Sequence, residues 1–106
     1  MNQDKTQVDS YTEAEKLLNN SRKKIDEIDQ DILELISRRT EMAKNVITAK
    51  KVLGKTIYDE EREKVVYENI KMKAIEKNIN EDIIFQVMAL LIKLSKDTQR
   101  EIDNNF

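Results

Sequence analysis

Arg39 stands in a stripe of otherwise apolar positions, between Leu35 and Met42. A guanidinium is rarely buried without a partner. Either it sets the register of a helical packing seam, or it is a planar fork for binding an anion. Lys50 follows eleven residues later. Eleven steps of ~100° return to nearly the same helix face, ~16 Å along the axis, so both cations point from one stripe toward one region. Alone, Lys50 reads as a solvated surface lysine. Asp59, Arg62 and Glu63 are spaced i, i+3, i+4 and share a face, though a helix cap followed by a surface ion pair also accounts for them. Ser95 and Gln99 form an i, i+4 pair where a long apolar run ends, which by itself is an ordinary polar helix end. Arg22, inside a Ser-Arg-Lys-Lys run, flanks the seam near its start. Taken together the set suits a small anionic ligand of the dicarboxylate kind. Arginine forks bind carboxylates bidentately, and Ser, Glu and Gln supply neutral or hydroxyl-directed contacts. Arg22 is ~25 Å from Arg39 along one helix, so it joins Arg39 around a small molecule only if it comes from another chain.

Composition removes many other chemistries. The 106 residues contain no Cys, no His, no Pro and one Gly. This excludes a disulfide framework, a thiol nucleophile and a zinc finger. It also excludes an imidazole acid or base and a Ser-His-Asp triad. One Gly is too few for a dinucleotide fingerprint or a P-loop, and little turn chemistry remains for an all-β fold. Nineteen basic and 21 acidic residues give −2, without the basic excess of a nucleic-acid binder. No stretch approaches the ~18 apolar residues of a membrane span. The opening MNQDKTQVDS has no apolar run, so no secretory signal is expected there and a cytoplasmic location is the default.

The elements that must position these residues are helices, because Leu, Ile, Glu, Lys and Met dominate. Residues 1–11 read as a mobile tail. Thr12 with Glu15 forms a capping box, and Ser10 with Glu13 offers the same box two residues earlier. From Ala14 to Leu53, steps of 4 and 3 alternate through Leu18, Ile25, Ile28, Ile32, Leu35, Met42, Val46 and Ala49, and only Ser21 and Arg39 break the seam. Gly54 is a C-terminal stop. Asp59 caps a second helix carrying Val65, Val66, Ile70 and Ala74. Asn78-Ile79-Asn80 is a turn, and Asn80 caps a third helix, nearly all apolar from Ile83 to Leu94. The expectation is an all-α fold with helices over about 12–53, 59–77 and 80–102, forming one domain over 12–103. A helix over 12–53 is ~63 Å long, against ~27 and ~33 Å for the others. They cannot cover its whole seam, so another chain must bury part of it, most simply in an interlocked homodimer. A bent or frayed first helix is the alternative, although no Pro or Gly lies between 12 and 53 to cause it.

The ordered pattern Arg22, Arg39, Lys50, Asp59, Arg62-Glu63, Ser95, Gln99 resembles the all-helical, type II class of chorismate mutases, across residues 16 to 102 without gaps. The resemblance implies an intertwined homodimer with two equivalent sites, each taking one arginine from the other subunit. It implies conversion of chorismate to prephenate, the branch step toward phenylalanine and tyrosine, by a [3,3]-sigmatropic rearrangement that needs no metal and no cofactor. On the same resemblance, Arg39 and the other chain's Arg22 clamp the two carboxylates. Lys50 and Gln99 donate to the ether oxygen, and Glu63 receives the ring hydroxyl with help from the Asp59 backbone. Ser95 touches a carboxylate, and Arg62 supports the ligand and Glu63. The implied partners are chorismate and a second copy, with no nucleic acid and no membrane. A monofunctional chain is expected. Two other readings stand beside it. The related isochorismate-pyruvate lyases share the fold and the cationic clamp but lack the Arg-Glu pair and the serine equivalent to 62–63 and 95. A non-catalytic helical dimer would not need Arg39 in the seam, nor Ser95 and Gln99 at matching depth.

Overall fold

Three helices account for the fold of residues 10–104, the part that the computed structural model describes. They are α1 (Tyr11–Leu53), α2 (Glu60–Glu76) and α3 (Glu81–Asn104). Of the expected tail, residues 1–9 lie outside the described residues, as do 105–106, and Tyr11 is already helical. The helix begins at the earlier of the two candidate boxes. Ser10 Oγ accepts from the Glu13 backbone N–H at 3.1 Å and donates to the Glu13 carboxylate at 3.1 Å, which satisfies a donor that the first turn leaves open.

The other helix ends follow from equally local chemistry. Gly54 adopts φ +70°, a left-handed conformation that glycine takes without a Cβ penalty. Its N–H bonds to the Lys51 carbonyl at 3.4 Å, and the Lys55 N–H bonds to the Lys50 carbonyl at 2.9 Å. These two bonds are the Schellman closure of a helix. Asn78, at φ 57°, closes α2 in the same way, with Asn78 N–H on the Ile75 carbonyl and Ile79 N–H on the Ala74 carbonyl. Asp59 Oδ1 accepts from the Arg62 N–H at 3.1 Å and Asn80 Oδ1 from the Ile83 N–H at 3.0 Å, so both expected caps are formed.

The chain divides into two units, residues 1–35 and 36–106. In the described part of the first, Leu18, Ile25, Ile28, Ile32 and Leu35 are all exposed. In the second, α2 and α3 run antiparallel. Tyr67 stacks on Phe85 with ring centroids 4.4 Å apart, and Glu63 pairs with Lys96, so lower numbers on α2 meet higher ones on α3. The later turns of α1 run parallel to α3, with Arg39 bonded to Leu91 and Ser95, Lys50 to Gln99, and Lys51 to Asp103.

The face of α1 turned inward is not the strongly apolar seam. Ile36, Arg39, Thr40, Ala43, Ile47 and Lys50 are buried or half-buried, while Met42, Val46, Ala49 and Leu53 are exposed. Ile36, Thr40, Ala43, Ile47 and Lys50 repeat every 4 and 3 residues like the seam, one position out of phase with it, and Arg39 of the seam itself turns in beside them. Both cations on this face are half-buried. Ile47 is its anchor, only 1% exposed. Replacing Ile47 with Ala should destabilise the protein by about 2–5 kcal/mol, measured by urea unfolding at fixed protein concentration. A loss below about 1 kcal/mol would contradict its placement in the core.

Candidate functional site

Seven of the eight sequence candidates lie in the unit of residues 36–106 and border one cavity of about 270 Å³. Each wall is positioned by a separate local cause. From α1, the Arg39 guanidinium donates through Nη1 to the Leu91 carbonyl at 2.8 Å and to Ser95 Oγ at 2.5 Å. A helix carbonyl and a hydroxyl thus hold the fork in place. They leave its remaining N–H groups for a ligand. Burial, and then the positive charge of Arg62, lower the proton affinity of Arg39 below its ordinary value. A guanidinium remains a cation near neutrality all the same, so the site carries a charge that an anion would relieve.

Lys50 is fixed by the end of its own helix. The Schellman turn at Gly54 returns the chain so that the Ile57 carbonyl accepts from Lys50 Nζ at 2.8 Å, while Gln99 Oε1 accepts from the same ammonium at 3.3 Å. Gln99 is 6% exposed and is the one buried polar side chain among the described residues. With its oxygen engaged by Lys50, its amide nitrogen is the group left to donate. A lysine and a glutamine therefore present donors side by side, on a floor that includes Ala43 and Ile92.

The third wall is the start of α2. The Asp59 carboxylate is used as the helix cap, which leaves its backbone rather than its side chain for a ligand. Arg62 is exposed at the rim, and Glu63 is half-buried. Glu63 Oε2 pairs with Lys96 Nζ at 3.1 Å, so the neighbour that supports this carboxylate is Lys96, where the sequence suggested Arg62. Lys96 was not legible as a site residue. It follows Ser95 and precedes Gln99 by three positions, a spacing that puts it near their face, but nothing local separates it from the solvated lysines nearby. Arg22 belongs to the other unit, where it is exposed.

The arrangement sets a half-buried fork and an ammonium–amide donor pair against one carboxylate. It can grip an anionic, hydroxyl-bearing molecule and stabilise negative charge that develops on it. The comparisons with known proteins agree with this chemistry. A family model for chorismate mutase type II matches residues 21–100. A chorismate mutase of Methanocaldococcus jannaschii is 44% identical over 80 residues, which are 76% of this chain and 81% of that protein. A bifunctional chorismate mutase/prephenate dehydratase of Buchnera aphidicola subsp. Schizaphis graminum is 31% identical over 85 residues, which are 80% of this chain and 22% of that protein. With most of its length covered, and all eight candidate positions inside the matched span, the chain belongs to the chorismate mutase type II family.

Proposed function

We propose that this protein converts chorismate to prephenate, as a cytoplasmic homodimer whose two sites each take Arg22 from the other subunit. The observation that carries the reading is the pairing of Lys50 Nζ with Gln99 Oε1 beside the half-buried Arg39 fork, in a single cavity. Family membership supports the same reaction.

The reaction stays within one molecule. The ether C–O bond breaks while a C–C bond forms between the enolpyruvyl side chain and the ring. No group has to attack the substrate and no net proton transfer is required. Two contributions remain for the protein. The first is conformational: Arg39 and the other chain's Arg22 each hold one carboxylate, and Glu63 accepts the ring hydroxyl. With these three points fixed, the side chain lies over the ring in its reactive pose, and the entropy of reaching that pose is removed beforehand. Ser95 and the Asp59 backbone add contacts to the carboxylate and hydroxyl ends, and Arg62 closes the rim. The second is electrostatic: as the C–O bond stretches, negative charge grows on the ether oxygen. Lys50 Nζ and the Gln99 amide donate to that oxygen from positions set before the substrate arrives.

The dimer is supported by exposure. Ile25, Ile28, Ile32, Met42 and Val46 all stand open in the single chain, at the 4–3 spacing of an interhelical seam. On α3, Ile83, Val87, Leu90 and Leu94 form a second exposed stripe of the same spacing. A second copy is the occupant that would bury both.

The direct experiment is to incubate the protein with chorismate and, separately, with isochorismate. Prephenate from the first and no pyruvate from the second is the expected result. Pyruvate from isochorismate would favour the lyase reading, and no product from either would favour the non-catalytic dimer. Gln99→Ala should lower kcat by ~10²–10³, the usual cost of losing one preorganised donor to a developing oxyanion. A near wild-type kcat would remove Gln99 from the ether-oxygen role.

The pH profile separates amide from carboxyl donation. The chain has no His, and Gln99 donates through its amide at any ordinary pH. The downward shift on Arg39 acts on a group that still stays charged near neutrality. The wild-type kcat should therefore be nearly flat from pH 5 to 8. Gln99→Glu should turn this into a profile that falls as pH rises, because the carboxyl donates only while protonated and its anion repels the ether oxygen. An unchanged flat profile in Gln99→Glu would contradict the assignment.

A further inference from the structure

We infer that Lys96 is a positioning residue for the reaction, holding the Glu63 carboxylate at the angle from which it receives the substrate hydroxyl; this rests on the mutase reading above. Most ion pairs of the described residues join neighbours on one helix, such as Lys44–Glu41, Lys73–Glu76 and Lys93–Asp97. Those lie on exposed faces, where such pairs contribute little. Glu63–Lys96 is different in kind. It joins the first turn of α2 to the second half of α3, at 3.1 Å, with its side chains 25% and 24% exposed. Among the described residues the other pair between helices, Lys51–Asp103, is more open, at 41% and 35%.

The lysine is held on a second side. Its ammonium lies 5.7 Å from the centroid of the Tyr58 ring, a cation–π distance. Tyr58 immediately precedes the cap residue Asp59 of the helix that carries Glu63. Lys96 therefore ties both ends of the Tyr58–Glu63 segment to α3. The pair is formed at Oε2 of the carboxylate, and Oε1 is the oxygen assigned to accept from a ligand. A glutamate with three free torsions and no such partner would sample several rotamers, and the hydroxyl would meet its acceptor only part of the time. Lys96 also borders an adjoining basic cleft with Lys55 and Arg100. The competing role is thus direct attraction of the anionic substrate, which would not require Glu63.

A double-mutant cycle distinguishes the two. Lys96→Met keeps the aliphatic stem against Tyr58 and removes the charge. It should lower kcat/KM for chorismate about tenfold in the presence of Glu63, but less than about twofold in a Glu63→Gln background, because paired residues couple and independent ones add. Lys96→Arg should restore most of the loss. Equal losses in both backgrounds, or no loss in either, would overturn the proposal. A second readout needs no turnover. In nitrogen-15 spectra of the lysine ammonium groups, Lys96 should give a slowly exchanging signal that Glu63→Gln abolishes. A signal indifferent to Glu63→Gln would also overturn it. A wild-type protein that makes no prephenate removes the mutase reading itself, whereas an active wild type with additive effects removes only the role of Lys96.

Discussion

The first helix has to serve two faces at once, and the rest of the molecule follows from how it divides them. Along residues 36–53 its inward side carries Arg39 and Lys50 together with Ile36, Thr40, Ala43 and Ile47, and the two cations reach α3. Its outer side carries Met42, Val46 and Leu53, which stay open in the single chain. In an ordinary helical hairpin the inward face is apolar. Here two half-buried cations share that face with the buried Ala43 and Ile47. Apolar surface on the outer side, worth ~25 cal/mol per Å² where buried, stays exposed in the single chain. Folding and the candidate site thus draw on the same element.

Withdrawing cations partly from water requires compensation, since an unpaired buried charge is costly. The chain supplies it from backbone oxygens more than from acids. Arg39 is held by the Leu91 carbonyl and Ser95 Oγ, and Lys50 by the Ile57 carbonyl and the Gln99 amide oxygen. Neutral acceptors fix the direction of each cation without cancelling its charge, so the charge is left for an anionic ligand. Carboxylate partners in these places would have produced stable ion pairs and a site with little reason to bind an anion. The one carboxylate at the cavity with a paired cation is Glu63, and its partner Lys96 lies at the margin. This division explains how a chain lacking His and Cys can present a catalytic surface. Oriented dipoles and fixed charge are what a unimolecular rearrangement can use.

Much of this was legible in the sequence because it is local. Gly54 and Asn80 marked their helix ends through backbone chemistry that acts within a few residues. The eleven-residue interval from Arg39 to Lys50 placed both on one face by helix geometry alone, and they border one cavity. The start of α1 was ambiguous because two capping boxes overlap, and Ser10 makes the bonds. The contact of Lys96 with Glu63 was hidden for the opposite reason. It depends on how α2 and α3 meet, across 33 residues of sequence, and no periodicity of α3 alone encodes it. The two faces of α1 were not separable either: a seam and a second stripe one position away give overlapping patterns, and only the packing distinguishes which is inward.

The central claim is that one working site is assembled from two chains, with Arg22 contributed by one and Lys50 by the other. Mixing decides it directly. Arg22→Ala and Lys50→Ala proteins are each assayed alone, then unfolded, combined in equal amounts and refolded, with heterodimers verified by native mass spectrometry. Each variant alone should be nearly inactive. Random pairing makes about half of the dimers mixed, and each of these has one site with both native residues, so about one quarter of wild-type activity should return. Heterodimers that form and stay inactive would contradict a shared site.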